Sequence, residues 1–156
     1  RGSTEQVVDE VERSLDDVIS VVKDTLEDGK ILPGGGATLI EVSKGLRKFA
    51  NKTGGREQLA VLEFANAMEI IPKTLAENGG LDPIDALIAL RSAHEKGNTS
   101  AGIDLSTGKP MDMFKLDVIE PLRVGTQAIE SATEVVNMIL RIDDVIAAKG
   151  GLSRAE

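Results

Sequence analysis

Apolar residues return every three or four positions along the start of the chain. Val7, Val8, Val11, Leu15, Val18, Val22 and Leu26 fall on one stripe, the spacing of an amphipathic helix. That helix is predicted from Ser3 to Glu27, opened by Ser3 and Gln6 in the form of a capping box and stopped at Gly29. Its polar side carries Asp9, Glu10, Glu12, Arg13, Asp16, Asp17 and Asp24. After a break at Ile31-Leu32-Pro33-Gly34-Gly35-Gly36, a second helix is expected from Ala37 to Ala50, with Leu39, Ile40, Val42, Leu46 and Phe49 inward. Asn51 to Gly55 reads as a turn. An Ala/Leu-rich helix follows from Arg56 to Glu77, where Pro72 predicts a kink or restart at Ile71. Asp82-Pro83 has the form of an N-cap and first helical residue, for a helix reaching about Lys96. Between Ala101 and Leu116 the period changes to that of a hairpin: Gly102 to Leu105, a turn at Ser106 to Lys109, then Pro110 to Met113. Pro121 is expected to open a last helix to about Ala148, bent near Gly125, with a loose tail over 150–156. The fold class is mainly α: a helical bundle with one small β-hairpin.

Composition narrows the chemistry. The 156 residues suit a single domain. Aromatics are 2%, all of them Phe, so the core must be built from Ala, Val, Ile and Leu. A net charge of −8 and the absence of stacking platforms argue against nucleic acid as a partner. No apolar run approaches a membrane span, and the first residues carry no signal-peptide pattern. Without cysteine there is no disulfide framework, thiolate metal site or cysteine nucleophile, and one histidine does not make a structural zinc site. The expectation is a soluble cytoplasmic protein with no bound metal among these residues.

Gly34-Gly35-Gly36 lets backbone approach a ligand with no Cβ in the way, ahead of a helix whose first N–H groups are free. The run lacks the Lys-Ser/Thr of a P-loop and the GxGxxG spacing, so a plain turn fits it as well. Asp16-Asp17 and Asp143-Asp144 resemble catalytic pairs, yet helical neighbours diverge by about 100° and cannot address one atom together. They read as solvated acidic faces. His94 is expected on the surface near the end of its helix, Met111 and Met113 in packing, and Glu120 at a helix start favoured by the dipole. Spacing alone yields no enzyme.

Several separate runs, in order along the chain, resemble group II chaperonins: Val8-Asp9-Glu10-Val11-Glu12-Arg13-Ser14-Leu15, Leu26-Glu27-Asp28-Gly29-Lys30-Ile31-Leu32-Pro33-Gly34-Gly35-Gly36-Ala37, and Gly55-Arg56-Glu57-Gln58-Leu59-Ala60. Leu75 to Pro83, Val118 to Val124 and Ile139 to Ile146 continue the likeness. The resemblance implies that residues 1–27 are the intermediate-domain helix descending from the apical domain. Residues 28–149 correspond to the C-terminal half of the equatorial ATPase domain, and 150–156 to a flexible tail. The family's apical domain and its first equatorial half, with the Gly-Asp-Gly-Thr phosphate loop and the magnesium-binding Asp, have no counterpart here.

The function so implied is part of an ATP-dependent chaperonin. Its partners would be other chaperonin subunits in a double ring, and unfolded client proteins held through the apical domain. The cofactors would be ATP and Mg2+, the Mg2+ ligand lying outside this stretch. By resemblance Asp17, preceded by Asp16 where the family often has His, would align or deprotonate the water attacking the γ-phosphate. Gly35 would approach the ribose and base, the backbone of Gly102 and Ile103 would meet the adenine, and Glu120 would accept from ribose hydroxyls. Asp143-Asp144 and Arg141 look structural, and His94 matches no functional position. The chain by itself is expected not to hydrolyse ATP, and to self-associate through uncovered helix faces. The competing reading is a stand-alone helical assembly or interaction module without ATPase activity.

Overall fold

A computed structural model describes residues 2–144 of the chain. Helix α1 spans Glu5–Asp28. Its cap is Thr4 rather than Ser3, because the Thr4 hydroxyl accepts from the Val7 N–H at 3.3 Å. Gly29 ends it in the left-handed region (φ 62°), where its N–H bonds the Thr25 carbonyl, a conformation that glycine adopts without penalty. Strand β1 (Ile31–Pro33) leads through the three glycines into α2 (Ala37–Thr53). This helix absorbs Asn51, Lys52 and Thr53, which the sequence assigns to a turn, and ends at Gly54.

Helices α3 (Gly55–Met68) and α4 (Ile70–Asn78) are one run broken at Glu69. Pro72 has no N–H to offer the Met68 carbonyl, and its ring crowds that oxygen. The helix therefore stops at Met68 and restarts at Ile70, slightly before the predicted Ile71. Helix α5 (Pro83–Glu95) is capped as expected, Asp82 Oδ1 accepting from the N–H groups of Ile84 (2.8 Å) and Asp85 (3.0 Å).

The hairpin pairs β2 (Ala101–Asp104) with β3 (Lys109–Asp112), Gly102 opposite Met111 and Ile103 opposite Pro110. Its turn is closed by Asp104, whose carboxylate accepts from the Ser106 N–H and the Ser106 and Thr107 hydroxyls. A second two-stranded sheet was not expected: β4 (Ile119–Pro121) runs antiparallel to β1, with Leu32 opposite Glu120. Pro121 thus ends a strand, and α6 (Leu122–Leu140) begins one residue later. Two three-residue strands far apart in the chain leave no periodicity to detect.

The core gathers Ile40 of α2, Ala76 of α4, Ala86 and Leu90 of α5 and Ile103 of β2, with Leu75, Leu81 and Leu87 packed around it. Buried Ala37, Ala50, Ala65 and Ala101 extend it, so small side chains bring elements close, as the aromatic-poor composition requires. The chain divides into two compact units, residues 1–122 and 123–156. Helix α6 makes up most of the described part of the second. It is helical without interruption through Gly125 and stops at Leu140, short of the predicted Ala148. The rest of that prediction, with the tail, lies outside the described residues. No helix among the described residues is long and apolar enough to cross a membrane.

Candidate functional site

The sheet β1–β4 aims the glycine run at the hairpin. Gly34 N–H donates to the Val118 carbonyl at 2.9 Å, and Ile103 N–H donates to the Gly35 carbonyl at 2.9 Å. Gly35 and Gly36 take positive φ values of 59° and 77°, turning the chain sharply into α2, whose first N–H, that of Ala37, returns to the Gly34 carbonyl at 3.1 Å. Met113 fills the space between the two glycine segments. A Cβ on Gly35 would lie 2.6 Å from its Sδ, and one on Gly102 would lie 2.6 Å from its Cγ. Protein already occupies both directions, so close backbone packing is itself a sufficient reason for these glycines. Met113 is buried, as expected of a packing residue, whereas Met111 is 42% exposed.

Glu120 stands on β4 beside this turn. It lines a cavity of about 220 Å3 with Ile31, Ile119 and Pro121 of the small sheet and Val21, Val22, Thr25 and Leu26 of α1. Burial in these apolar surroundings raises its pKa, the direction expected when a carboxylate loses water without gaining donors. Among the described residues no side chain or N–H is placed to donate to it. Gly35, Gly102, Ile103 and Glu120 therefore sit on adjoining elements. Asp17 is apart from them, on the exposed polar side of α1. Its carboxylate has no partner among the described residues. One turn further on, the same helix face carries Val21 into the cavity wall.

Two buried polar clusters escape sequence reading. Glu69, 5% exposed, accepts from Ser43 Oγ (2.8 Å), Arg47 Nη2 (2.9 Å) and Arg91 Nε (3.0 Å), and is ion-paired with Arg91 Nη2. His94 is a correction: it is not on the surface but fully buried, between Glu41 and the Ala101 carbonyl. A signal for it existed, since Ala86, Leu90 and His94 follow one another at steps of four on the buried face of α5. Glu69 left a weaker trace, a lone charge inside the apolar run Ala67-Met68-Glu69-Ile70-Ile71.

A sequence profile of the TCP-1/cpn60 chaperonin family matches residues 1–150. Thermosome subunit 1 of Haloferax volcanii is 64% identical over 153 residues, covering 98% of this chain and 27% of that protein. The thermosome subunit of Methanocaldococcus jannaschii is 63% identical over 150 residues, covering 96% and 28%. Among solved structures, the open-state monomer of a group II chaperonin from Methanococcoides burtonii superposes with a TM-score of 0.77 at 54% identity, over 90% of this chain and 35% of that one. The chain thus spans about a quarter of the length of the curated relatives it matches.

Proposed function

This chain belongs to the TCP-1/cpn60 chaperonin family, and on that premise we propose that it forms the nucleoside side of a chaperonin ATP site. The single observation that carries the reading is Glu120, a half-buried carboxylate without donors beside the glycine turn that clasps Gly102 and Ile103. A ribose offers two hydroxyl donors to such a group, and the glycine turn that follows β1 links the strand pair carrying Glu120 to the backbone of β2, where the base would lie. Asp17, free of partners on α1, has the room to orient the attacking water.

The residues present would hold the nucleoside. By the family likeness, phosphate and Mg2+ contacts would come from protein outside this stretch, and the chain alone is expected to bind without hydrolysing. In the assembled cytoplasmic chaperonin, this half-site would join a double ring that encloses unfolded protein. The exposed stripe of α1, from Val7 to Leu26, supports packing against such further protein.

Titration calorimetry with adenosine and with ATP tests the reading. Both ligands should bind the chain, and Glu120→Gln should weaken both about tenfold, the loss of charged acceptance for the ribose. Because the pKa of Glu120 is raised in the fold, its ionised form is the one that burial disfavours. Affinity should then fall as pH drops through that raised value. Stability should move oppositely: Glu120→Gln should stabilise the unliganded chain by about 1 kcal/mol or less at and above that raised value, a gain that shrinks to nothing as pH falls to the ordinary carboxylate value of the unfolded chain. Undiminished affinity in Glu120→Gln would overturn the assignment. Asp17→Ala should alter neither nucleoside affinity nor, beyond about 0.5 kcal/mol, the stability of the chain, while abolishing turnover in the complete chaperonin.

A further inference from the structure

The chain carries 26 acidic and 18 basic side chains, yet one cavity reverses that ratio. It holds about 380 Å3 between α2 and α5, and its wall includes Lys44, Arg47, Lys48 and Arg91 against a single acid among the described residues, Glu95. Steps of three and four place Lys44, Arg47 and Lys48 on one face of α2, and Glu95 follows Arg91 by one turn of α5. Buried Ile40 adds an apolar part to the lining. None of these residues belongs to the nucleoside half-site.

The four cations are not equally committed within the protein. Lys44 is: its Nζ lies 3.3 Å from a Glu41 carboxylate oxygen and donates to the His94 carbonyl at 2.7 Å. Arg47 and Arg91 share one carboxylate, that of Glu69, so two positive charges stand against one negative. Arg47 uses Nη2 for both Glu69 (2.9 Å) and Asn66 Oδ1 (2.7 Å), and Arg91 uses Nε and Nη2 for Glu69. A guanidinium has five N–H donors in a rigid fork, and Nη1 of each arginine is left without an acceptor among the described residues. Both side chains stay within reach of solvent, Arg47 at 33% and Arg91 at 46% exposure. Lys48 is exposed and forms no ion pair with a described residue.

We propose that this cavity is a second ligand site of the chain, one that takes a small phosphorylated molecule by its phosphate. A phosphate group is charged about −2 at neutral pH and offers three acceptor oxygens, the geometry that guanidinium forks match. The uncompensated charge of the arginine pair and that of Lys48 together meet such a dianion, and Glu95 works against it. Glu69 fixes both guanidiniums before any ligand arrives, so little side-chain freedom remains to be lost on binding. The volume falls within the range of small-molecule sites, roughly 300–1,000 Å3, and has room for more than a lone phosphate ion. A carboxylate ligand, with two oxygens and one charge, would leave half of this set unmatched.

Inorganic pyrophosphate is the probe, because it carries linked phosphates without base or sugar. Titration calorimetry of the whole chain at low salt and neutral pH should show one pyrophosphate bound per chain. Lys48→Gln should weaken that binding about fivefold and Glu95→Gln should tighten it about threefold, as one attractive and one repulsive charge are removed at partly screened distances. Both side chains are exposed, so neither change disturbs the core. Lys109→Gln, on the hairpin and outside the cavity wall, should leave the affinity unchanged. No binding at millimolar pyrophosphate overturns the proposal. Equal weakening by Lys48→Gln and Lys109→Gln overturns it too, since surface charge at large would then gather the probe. So does a Glu95→Gln chain that binds no more tightly than the unsubstituted one. Adenosine, which lacks phosphate, should bind Lys48→Gln as it binds the unsubstituted chain, and Glu120→Gln should leave pyrophosphate binding unchanged. The two sites therefore stand or fall separately.

Discussion

Gly102→Ala is expected to cost about 3 kcal/mol, the upper end of what overpacking a core usually costs and a large part of the stability of a domain this size. The new Cβ would lie 2.6 Å from Met113 Cγ, 2.7 Å from the Gly34 carbonyl oxygen and 2.9 Å from that of Gly35. The methionine can swing aside, since its side chain is flexible. The two carbonyls cannot, because Gly34 O accepts from Ala37 N–H and Gly35 O from Ile103 N–H. Relief requires the hairpin to back away from the glycine turn, breaking the Ile103–Gly35 bond and drawing Ile103 out of the core. Gly45, inside α2, supplies the control. An added Cβ there meets nothing within 4 Å, and alanine is the better helix former by about 1 kcal/mol. Gly45→Ala should therefore raise the denaturation midpoint while Gly102→Ala lowers it steeply. Equal midpoints for Gly102→Ala and the unsubstituted chain would mean that the turn and hairpin are not in contact.

That contact marks the boundary of what the residue pattern could reveal. Period-three-and-four stripes located the helices, Pro72 announced the break between α3 and α4, and Asp82-Pro83 announced the start of α5, because each rests on chemistry within one or two turns of chain. The pairing of Ile31–Pro33 with Ile119–Pro121 is set by tertiary packing and has no local signature, so Pro121 looked like a helix start. His94 was misplaced for a related reason. Its place near a helix end beside Glu95 and Lys96 suggested solvent, although its step of four from Leu90 put it on the buried face. The candidate site was legible unevenly. From spacing alone Gly34-Gly35-Gly36 was equally a turn, and Asp17 one carboxylate of a polar face. Family resemblance singled out Gly35, Gly102, Ile103 and Glu120, and the fold sets them on adjoining elements. It also gives Gly35 and Gly102 a second reason to lack side chains, the close approach of backbone to backbone around Met113.

The other large effect is expected at Glu69, where Glu69→Ala should cost about 3–5 kcal/mol, as when one partner is removed from a buried ion pair. The residue occupies the one-position break between α3 and α4, ending one helix with its N–H on the Asn66 carbonyl and opening the next with its carbonyl accepting from Lys73 N–H. Burial taken alone would push its pKa up, yet hydrogen bonds from Arg91, Ser43 and Arg47 together hold it below the ordinary carboxylate value. Truncation would leave two guanidinium groups facing each other across the vacated space and the buried Ser43 hydroxyl without its acceptor. Arg47 has little slack to compensate, for its Nε is already buried with no partner among the described residues. Glu69→Gln keeps the volume but turns one acceptor into a donor aimed at arginine, so it should lose a smaller share. The pH dependence follows from the sign of the shift. A carboxyl held lower in the folded chain than the unfolded value near 4.5 contributes its stability above that value, and loses it as pH falls through the folded one. The gap between the unsubstituted chain and Glu69→Gln in urea denaturation should thus be full at neutral pH and close in acid. A triple change, Glu69→Leu with Arg47→Met and Arg91→Leu, should recover much of the single-site loss, since an apolar trio of similar volume leaves no buried charge unpaired. A loss below about 1 kcal/mol for Glu69→Ala would put the cluster in the class of exposed ion pairs, with water rather than protein around its carboxylate.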